Sequence, residues 1–149
     1  IWLRRAFEAD APYLFNAGSE NIGEMTIQCS KRADAIKLWL VLRSQGPQGI
    51  ADALERVTEL TRYLHRKLEE SDDFEPVHAP HLNILCFRRR GFTDEQTADL
   101  REALNRSGRA WITTTVLRGE RVLRVTMMNP RTTEEDIDAM IAGLREVTS

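Results

Sequence analysis

A chain of 149 residues is long enough for one domain with its own core, and its 42% apolar and 30% charged residues are ordinary for a globular protein. The formal net charge of −2 gives no general attraction to nucleic acid or to an anionic membrane. No apolar run approaches the roughly 20 residues of a membrane-spanning helix, and no signal-peptide pattern opens the chain. We therefore expect no nucleic-acid partner and no membrane partner.

The first part of the chain shows little regular pattern. The opening stretch IWLRRAFEADAPYLF predicts a short strand or its end, then a turn of helix broken before Pro12. Residues 16–26 are polar and contain glycine, which predicts a loop. The chain begins at Ile1 rather than Met, which is typical of a sequence entered in the middle of a longer polypeptide.

Two helices of different character follow. The first is predicted from about Ser30, a plausible N-cap, to Gln45, with Gly46 just past its end. Its residues 35–42 are apolar on nearly all sides, whereas a surface helix normally has one apolar stripe. We therefore expect this helix to need packing partners on both sides.

The second helix is predicted over about 47–70, with Pro47 in its first turn. Apolar residues recur there at spacings of three and four, which indicates one buried face. The predicted buried residues are Ile50, Leu54, Val57, Leu60, Leu64 and Leu68.

The remaining chain alternates strands and helices. Segments 74–77 and 82–89 are predicted strands, and Thr93 with Gln96 predicts a capped helix that ends at Gly108. Two β-rich runs joined around the sequence RGE predict a hairpin. The last helix starts with acidic residues, and its predicted apolar side comprises Ile137, Met140, Ile141 and Leu144. This order predicts an α+β fold, with helices on one face of a mostly antiparallel sheet.

Each residue that could take part in catalysis or binding also has a plain structural interpretation. His78 and His81 could ligate a metal, but no cysteine or acidic cluster stands beside them, which favours loop histidines. The run FRRRGF could contact nucleic acid, but a solvated strand end is favoured. The acids Glu134, Glu135 and Asp136 suit the first turn of a helix. Cys29 and Cys86 lack metal-like spacing, which favours a reduced cytoplasmic pair of small buried side chains.

A family resemblance carries the interpretation further. The stretch TIQCSKRADAIKLWLVLRSQGPQGI resembles a signature of the group II pyridoxal-phosphate (PLP) amino-acid decarboxylases, which include glutamate, cysteine-sulfinate, aromatic and 2,4-diaminobutyrate decarboxylases. The matching positions are Gln28, Cys29, Arg32, Asp34, Ala35, Lys37, Leu38, Trp39, Leu42, Arg43 and Gly46. The likeness continues through YLF, LNILCFRR and VLRVTMMNPRTTEEDI, so it covers nearly the whole chain in order.

The order of these motifs resembles the C-terminal end of longer family members. The resemblance implies that residues 1–46 are the end of the large-domain region with its linking helix. Residues 47–149 are then the small C-terminal α+β domain of a fold-type I (aspartate-aminotransferase-like) PLP enzyme. The Trp39 helix would link the two domains, with its second apolar side against a large domain that this sequence does not contain.

The resemblance also implies a PLP cofactor in the parent enzyme, held by a lysine in a His-Lys motif upstream of Ile1. No His-Lys pair occurs here, since Lys31, Lys37 and Lys67 follow other residues. Lys37 matches a family lysine that does not bind PLP. PLP catalysis needs the imine to lysine and a carboxylate at the ring nitrogen. We therefore expect a decarboxylase as the parent protein, with no catalytic or cofactor-binding residue in this chain, which alone should be inactive.

Two positions could still touch the parent's site. Arg124 matches an arginine that in glutamate decarboxylases reaches the substrate carboxylate, which suits bidentate pairing. Aromatic decarboxylases also have arginine there, so a substrate-binding role and a structural role both stay open. Loop 16–26 matches a mobile loop that in several relatives carries a proton-donating tyrosine. This chain has no tyrosine between Phe15 and Ser30, and Tyr13 lies too early to match.

The substrate and the assembly follow only from the resemblance. Some motifs resemble the glutamate and cysteine-sulfinate branch more, and others resemble bacterial diaminobutyrate or general bacterial forms more. No single amino acid is therefore assigned as the substrate. The family implies a cytoplasmic homodimer with active sites at the subunit interface. The alternative is a free-standing, non-catalytic α+β interaction or regulatory module that descends from the same family.

Overall fold

The computed structural model describes residues 2–7 and 32–147, which belong to two compact units, Ile1–Gly46 and Pro47–Ser149. The helices are α1 (Trp2–Phe7), α2 (Asp34–Glu69), α3 (Asp94–Ser107) and α4 (Glu134–Glu146). The strands are β1 (Phe74–Pro76), β2 (Ile84–Arg89), β3 (Thr113–Leu117) and β4 (Glu120–Thr126). Within these described ranges, no helix is both long and apolar enough to span a membrane.

The first unit begins with α1, so the strand expected at the start of the chain is wrong. Its sequence WLRRAF contains leucine, arginine and alanine, which favour helix, and no β-branched residue. The expected break before Pro12, the loop at 16–26 and the N-cap at Ser30 lie outside the described residues.

The part of α2 before Gly46 exposes its apolar side chains. Their exposed fractions run from 45% at Leu42 to 62% at Leu38. The exposed residues are Ile36, Leu38, Trp39, Leu40, Val41 and Leu42. The guanidinium of Arg43 lies 5.9 Å from the Trp39 ring centroid, which is cation–π distance.

A break at Gly46 separates the two helical parts of α2. Gly46 has φ 69° and ψ 174°, a backbone conformation that residues other than glycine rarely adopt. Pro47 follows and starts the second part, where its missing N–H costs little. The sequence predicts the end of one helix and the start of the next at these two residues, and the structure confirms both.

In the second unit, α2 contributes one side of the core. Val57, Leu60, Leu64 and Leu68 are buried as predicted, but Ile50 is only half-buried and Leu54 is 63% exposed, so the predicted burial of these two is wrong. The buried side chains of α2 begin at Val57, and Leu54 lies on the same face one turn beyond the end of the core. Helical periodicity identifies a face of the helix but not where its packing partners stop.

The sheet is antiparallel with strand order β1-β2-β4-β3. On its first face, Leu85 and Phe87 of β2 lie opposite Val125 and Leu123 of β4, and all four are buried in the core. The same core contains the apolar residues of α3, α4 and the second part of α2. The predicted α+β fold, with helices on one face of an antiparallel sheet, is confirmed.

Capping and turn residues fix the element ends. Thr93 and Gln96 form the predicted capping box of α3. Thr133 and Asp136 form a second box at α4, which the sequence reading did not identify. The turn between β3 and β4 is described with the candidate site, because one of its residues borders a depression.

Candidate functional site

The second face of the sheet, defined here by Glu75, Cys86, Arg88, Val122 and Arg124, carries none of the core helices of the second unit. Facing residues of paired antiparallel strands point to the same side. Arg124 of β4 lies opposite Cys86 of β2 and Thr113 of β3, so these three residues share this face. Arg124 is half-buried and occupies a central strand. The backbone around it is therefore held on both sides.

The Arg124 guanidinium has no carboxylate partner among the described residues. Its strand neighbours on the same face, Cys86 and Thr113, are uncharged, and the Thr113 hydroxyl donates a hydrogen bond to the Arg124 carbonyl at 3.4 Å. By contrast, Arg88 lies between two carboxylates, with Nε 2.5 Å from Glu75 and Nη1 2.6 Å from Glu120. Arg124 is therefore a half-buried cation available to an anion from outside the described chain.

Cys86 is a buried thiol, as predicted, and 6% of its surface is exposed. Burial raises the pKa of Cys86, and the positive charge of Arg124 opposes that rise. A raised pKa keeps the thiol protonated at neutral pH, which argues against a nucleophilic role. Cys29 lies outside the described residues.

His78 extends the β1–β2 pairing with its side chain. Its Nε2 accepts a hydrogen bond from the Cys86 backbone N–H at 3.1 Å, and its Nδ1 lies 3.0 Å from the Ala79 carbonyl. The ring is therefore the neutral Nδ1–H tautomer, with both nitrogens in use. His81 is exposed, and within 2–7 and 32–147 no group of three metal-ligating side chains occurs. The loop-histidine interpretation is the one that the geometry supports.

The three arginines of FRRRGF each have structural contacts. Arg88 and Arg90 both bind the carboxylate of Glu75. The guanidinium of Arg89 lies 4.9 Å from the ring centroid of Phe92 and 5.7 Å from that of Phe74. Hydrogen bonds from Arg88 lower the pKa of Glu75, which keeps this carboxylate ionised. The run is a paired strand end rather than a row of cations presented to phosphates.

The acidic start of α4 also has a structural role. Glu134 accepts two hydrogen bonds from Arg56 of α2, at 3.0 and 3.1 Å. Asp136 accepts from the backbone N–H of Thr133, as the second half of the capping box. These contacts tie α4 to α2 and cap it, which agrees with the structural interpretation of the three acids.

The described lysines do not fit a PLP imine. Lys37 is exposed and lies 2.7 Å from Asp34. Hydrogen bonds to Tyr63 and Asp138 raise the pKa of Lys67, whereas an imine-forming lysine needs a lowered pKa. Lys67 borders a depression of about 270 Å³ that also presents the acids Glu70 and Asp138, a poor site for a phosphate. Lys31 and loop 16–26 lie outside the described residues.

The sequence reading missed one feature of the second face, at the hairpin turn. Arg118 (φ 55°) and Gly119 (φ 89°) both have positive φ, which is the geometry of a type I′ turn. Arg118 and Glu120 border a depression on this face. The sequence RGE signals the turn, but nothing in it shows that the neighbouring side chains meet Glu75 and Arg88 of distant strands.

Known proteins resemble this chain along most of its length. Residues 1–90 match the model of the pyridoxal-dependent decarboxylase conserved domain. The acidic amino acid decarboxylase of Xenopus tropicalis is 36% identical over 90 residues, which are 57% of this chain and 18% of that protein. The cysteine sulfinic acid decarboxylase of Mus musculus is 30% identical over 131 residues, 85% of this chain and 26% of that protein.

A solved structure agrees in fold. The crystal structure of mouse CSAD matches with a TM-score of 0.75 at 23% identity, covering 97% of this chain and 34% of that one. This chain thus spans about a fifth to a third of the relatives it matches. The predicted family and its PLP cofactor class are confirmed, and the α+β fold agrees with that of the solved relative. The chain belongs to the pyridoxal-dependent decarboxylases.

Proposed function

We propose that this chain is the C-terminal portion of a PLP-dependent amino-acid decarboxylase, a carboxy-lyase that releases CO2 from an L-amino acid. The observation that carries the proposal is the half-buried Arg124, which has no carboxylate partner among the described residues of a chain from this family. In the proposal, Arg124 pairs with a carboxylate of the substrate.

The energetics of Arg124 favour this role. A partly buried guanidinium without an anion is unfavourable, so a site that contains one gains from binding a carboxylate. The planar guanidinium can donate two parallel hydrogen bonds to one carboxylate, which fixes orientation as well as charge. Because β4 pairs with β2 and β3, the Cα atom of Arg124 is held in place by strands on both sides. This supports precise positioning of the guanidinium.

The cofactor would be held by residues other than those described here. Lys37 and Lys67 are each paired with a carboxylate. None of the three lysines of this chain follows a histidine, so the imine-forming lysine of the parent is proposed to lie upstream of Ile1, as the family resemblance implies. The proposed contribution of this chain is a substrate-binding wall, and the 149 residues alone remain inactive.

We propose an acidic L-amino acid as the substrate class. Two relatives at 36% and 30% identity are named for acidic amino acids and for cysteine sulfinic acid, which support this choice. A cytoplasmic homodimer is proposed as well. The exposed apolar stretch 36–42 supports assembly with further protein, and the free buried thiol of Cys86 suits a reducing compartment.

The deciding experiment uses the complete polypeptide that carries this sequence. CO2 release is measured from L-glutamate, L-cysteine sulfinate, L-2,4-diaminobutyrate and L-tryptophan. We expect release from an acidic substrate, and a rise in its KM of about 10- to 100-fold for Arg124→Met, the loss of one charged hydrogen-bond pair. Arg131→Met removes an exposed arginine elsewhere and should leave KM unchanged.

Two results would contradict parts of this proposal. An unchanged KM in Arg124→Met assigns Arg124 a structural role while leaving the decarboxylase assignment intact. A coding frame without a His-Lys motif upstream, whose complete product releases no CO2, favours the non-catalytic interaction module instead. Sedimentation of the same product tests the homodimer.

A further inference from the structure

A second polar site lies beside the β3–β4 turn, on the second face of the sheet. It is a depression of about 430 Å³ in the second unit. The residues that border it and enter the argument are Glu75, Arg88, Leu117, Arg118, Glu120 and Val122. We call it the hairpin depression. It is separate from Arg124, which does not border it.

Most charges around the hairpin depression are already paired. Both carboxylate oxygens of Glu75 are in use, by Arg88 and by Arg90. Arg88 also donates to Glu120 Oε2 at 2.6 Å. These four side chains carry two positive and two negative charges, so they neutralise one another. The hydrogen bond that Arg88 donates to Glu75 raises the pKa of Arg88, in keeping with a tightly held pair.

Two groups at the rim are left over. Glu120 Oε1 accepts no hydrogen bond from the described residues, and the exposed Arg118 guanidinium has no ion-pair partner among them. Arg118 and Glu120 flank Gly119 in the turn, so the two groups come from the same rigid hairpin. The rim therefore offers one open cation and one open carboxylate oxygen, the complement of a zwitterion.

The backbone at Arg118 is a second, independent observation. Its φ of 55° lies in the left-handed region, where the first position of a type I′ turn normally has Asn, Asp or Gly. Arginine is a poor choice for that conformation. A residue that is locally unfavourable and presents an unpaired charge into a depression is the pattern expected of a binding residue.

We propose that the hairpin depression binds a neutral aliphatic α-amino acid in its zwitterionic form. Arg118 pairs with the α-carboxylate, and Glu120 Oε1 accepts from the α-ammonium group. The apolar side chain lies against Leu117 and the buried Val122, which belong to the apolar part of the lining together with Pro76 and Val77. A volume of about 430 Å³ has room for a side chain of the size of leucine. The inference does not depend on the decarboxylase activity or on PLP.

The test is a titration of the 15N-labelled 149-residue protein with L-leucine, followed by two-dimensional 1H–15N NMR. We expect saturable shifts at the amides of 117–120 and at the Arg118 Nε–H, with a Kd of about 1–10 mM for the two exposed polar contacts together with partial burial of the leucine side chain. Acetate and methylamine, each carrying one of the two charges, should bind at least about tenfold more weakly, because each engages one pair.

Matched variants decide whether the rim residues act. Arg118→Asn removes the cation while suiting the turn, and it should weaken L-leucine binding about three- to fivefold, the contribution of one exposed ion pair, without loss of fold. Glu120→Gln should weaken it similarly. Arg131→Asn, an exposed arginine away from the depression, should leave binding unchanged. The proposal is overturned if no saturable shifts occur, if acetate alone matches L-leucine, or if Arg118→Asn binds as tightly as the parent chain.

Discussion

Arg145 of α4 holds Asp73 with two hydrogen bonds, from Nε to Oδ2 at 3.0 Å and from Nη2 to Oδ1 at 2.9 Å. Ser71 adds a third hydrogen bond to the same carboxylate, at 2.5 Å. This bidentate pair ties the last helix to the turn that enters β1. The hydrogen bonds from Arg145 are the main reason that the pKa of Asp73 falls from 3.8 to about 2.

This pair should make stability depend on pH in an acidic window. Because the folded-state pKa is lower than the unfolded value, the stabilisation is complete above about pH 4 and is lost as pH falls through 2. Solvent screening of the partly exposed pair reduces it to about 1–2 kcal/mol. In urea unfolding, Asp73→Asn should cost that amount at pH 6 and much less at pH 2. Asp99→Asn, at an exposed position without a described partner, should show no such pH-dependent difference.

The two leucines of the α2 stripe should respond oppositely to truncation. Leu64 is fully buried, so Leu64→Ala should cost about 2–5 kcal/mol through lost burial and a cavity. Leu54 is 63% exposed on the same helix, so Leu54→Ala should change the free energy of unfolding of the 149-residue chain by no more than about 0.5 kcal/mol. Urea unfolding of both variants measures the two changes in the free energy of unfolding. Equal losses of stability would mean that Leu54 is covered in solution.

His78 should matter for stability and His81 should not. His78→Ala removes the acceptor of the Cys86 backbone N–H and should cost about 1 kcal/mol. His81→Ala changes an exposed side chain and should be neutral. Hydrogen exchange gives the local readout, because the Cys86 amide should exchange faster only in His78→Ala. Unchanged exchange there would show that another acceptor holds this amide.

A substitution in the β3–β4 turn should raise the stability of the chain. Asparagine adopts positive φ more readily than arginine, so Arg118→Asn should stabilise the chain by about 0.5–1 kcal/mol. Gly119→Ala should instead destabilise it by about 1 kcal/mol or more, because alanine is strained at φ 89°. Thermal unfolding compares the two variants. A destabilised Arg118→Asn would show that the arginine side chain makes a contact worth more than the strain.

The 149-residue chain should not take up PLP stoichiometrically. Lys37 and Lys67 are each paired with a carboxylate. Hydrogen bonds to Tyr63 and Asp138 raise the pKa of Lys67, which keeps that amine charged and unable to form an imine. We expect no saturable imine absorbance on titration with PLP, and only scattered surface labelling after borohydride reduction, as measured by mass spectrometry. One equivalent trapped on a single lysine would refute the expectation that cofactor binding needs residues outside this chain.

The elements of the second unit were predictable because their signals are local. The periodicity from Val57 to Leu68, the capping box at Thr93 and the turn at Gly119 depend on nearest neighbours in sequence. The strand predicted at the start of the chain, where the structure has helix α1, was wrong because a short apolar opening fits strand and helix alike. Leu54 was wrong because burial depends on where distant elements end.

The candidate sites were predictable only in part. The resemblance singled out Arg124, but no sequence pattern shows that it lacks a partner while Arg88 has two. That difference arises from strand order, which brings Glu75 of β1 and Glu120 of β4 to either side of Arg88. Ion pairing between residues 13 and 32 positions apart is a property of register and not of composition.

The two faces of the sheet should also differ in how freely their residues can vary. On β4, Leu123 and Val125 pack against helices that belong to this chain, so their replacement is constrained by neighbours within the 149 residues. Arg124 alternates with them and faces the other way. In deep mutational scanning for folding of this chain alone, changes at Arg124 should be tolerated, while selection on the complete enzyme should restrict them. Adjacent positions of one strand would then report on two different selective pressures.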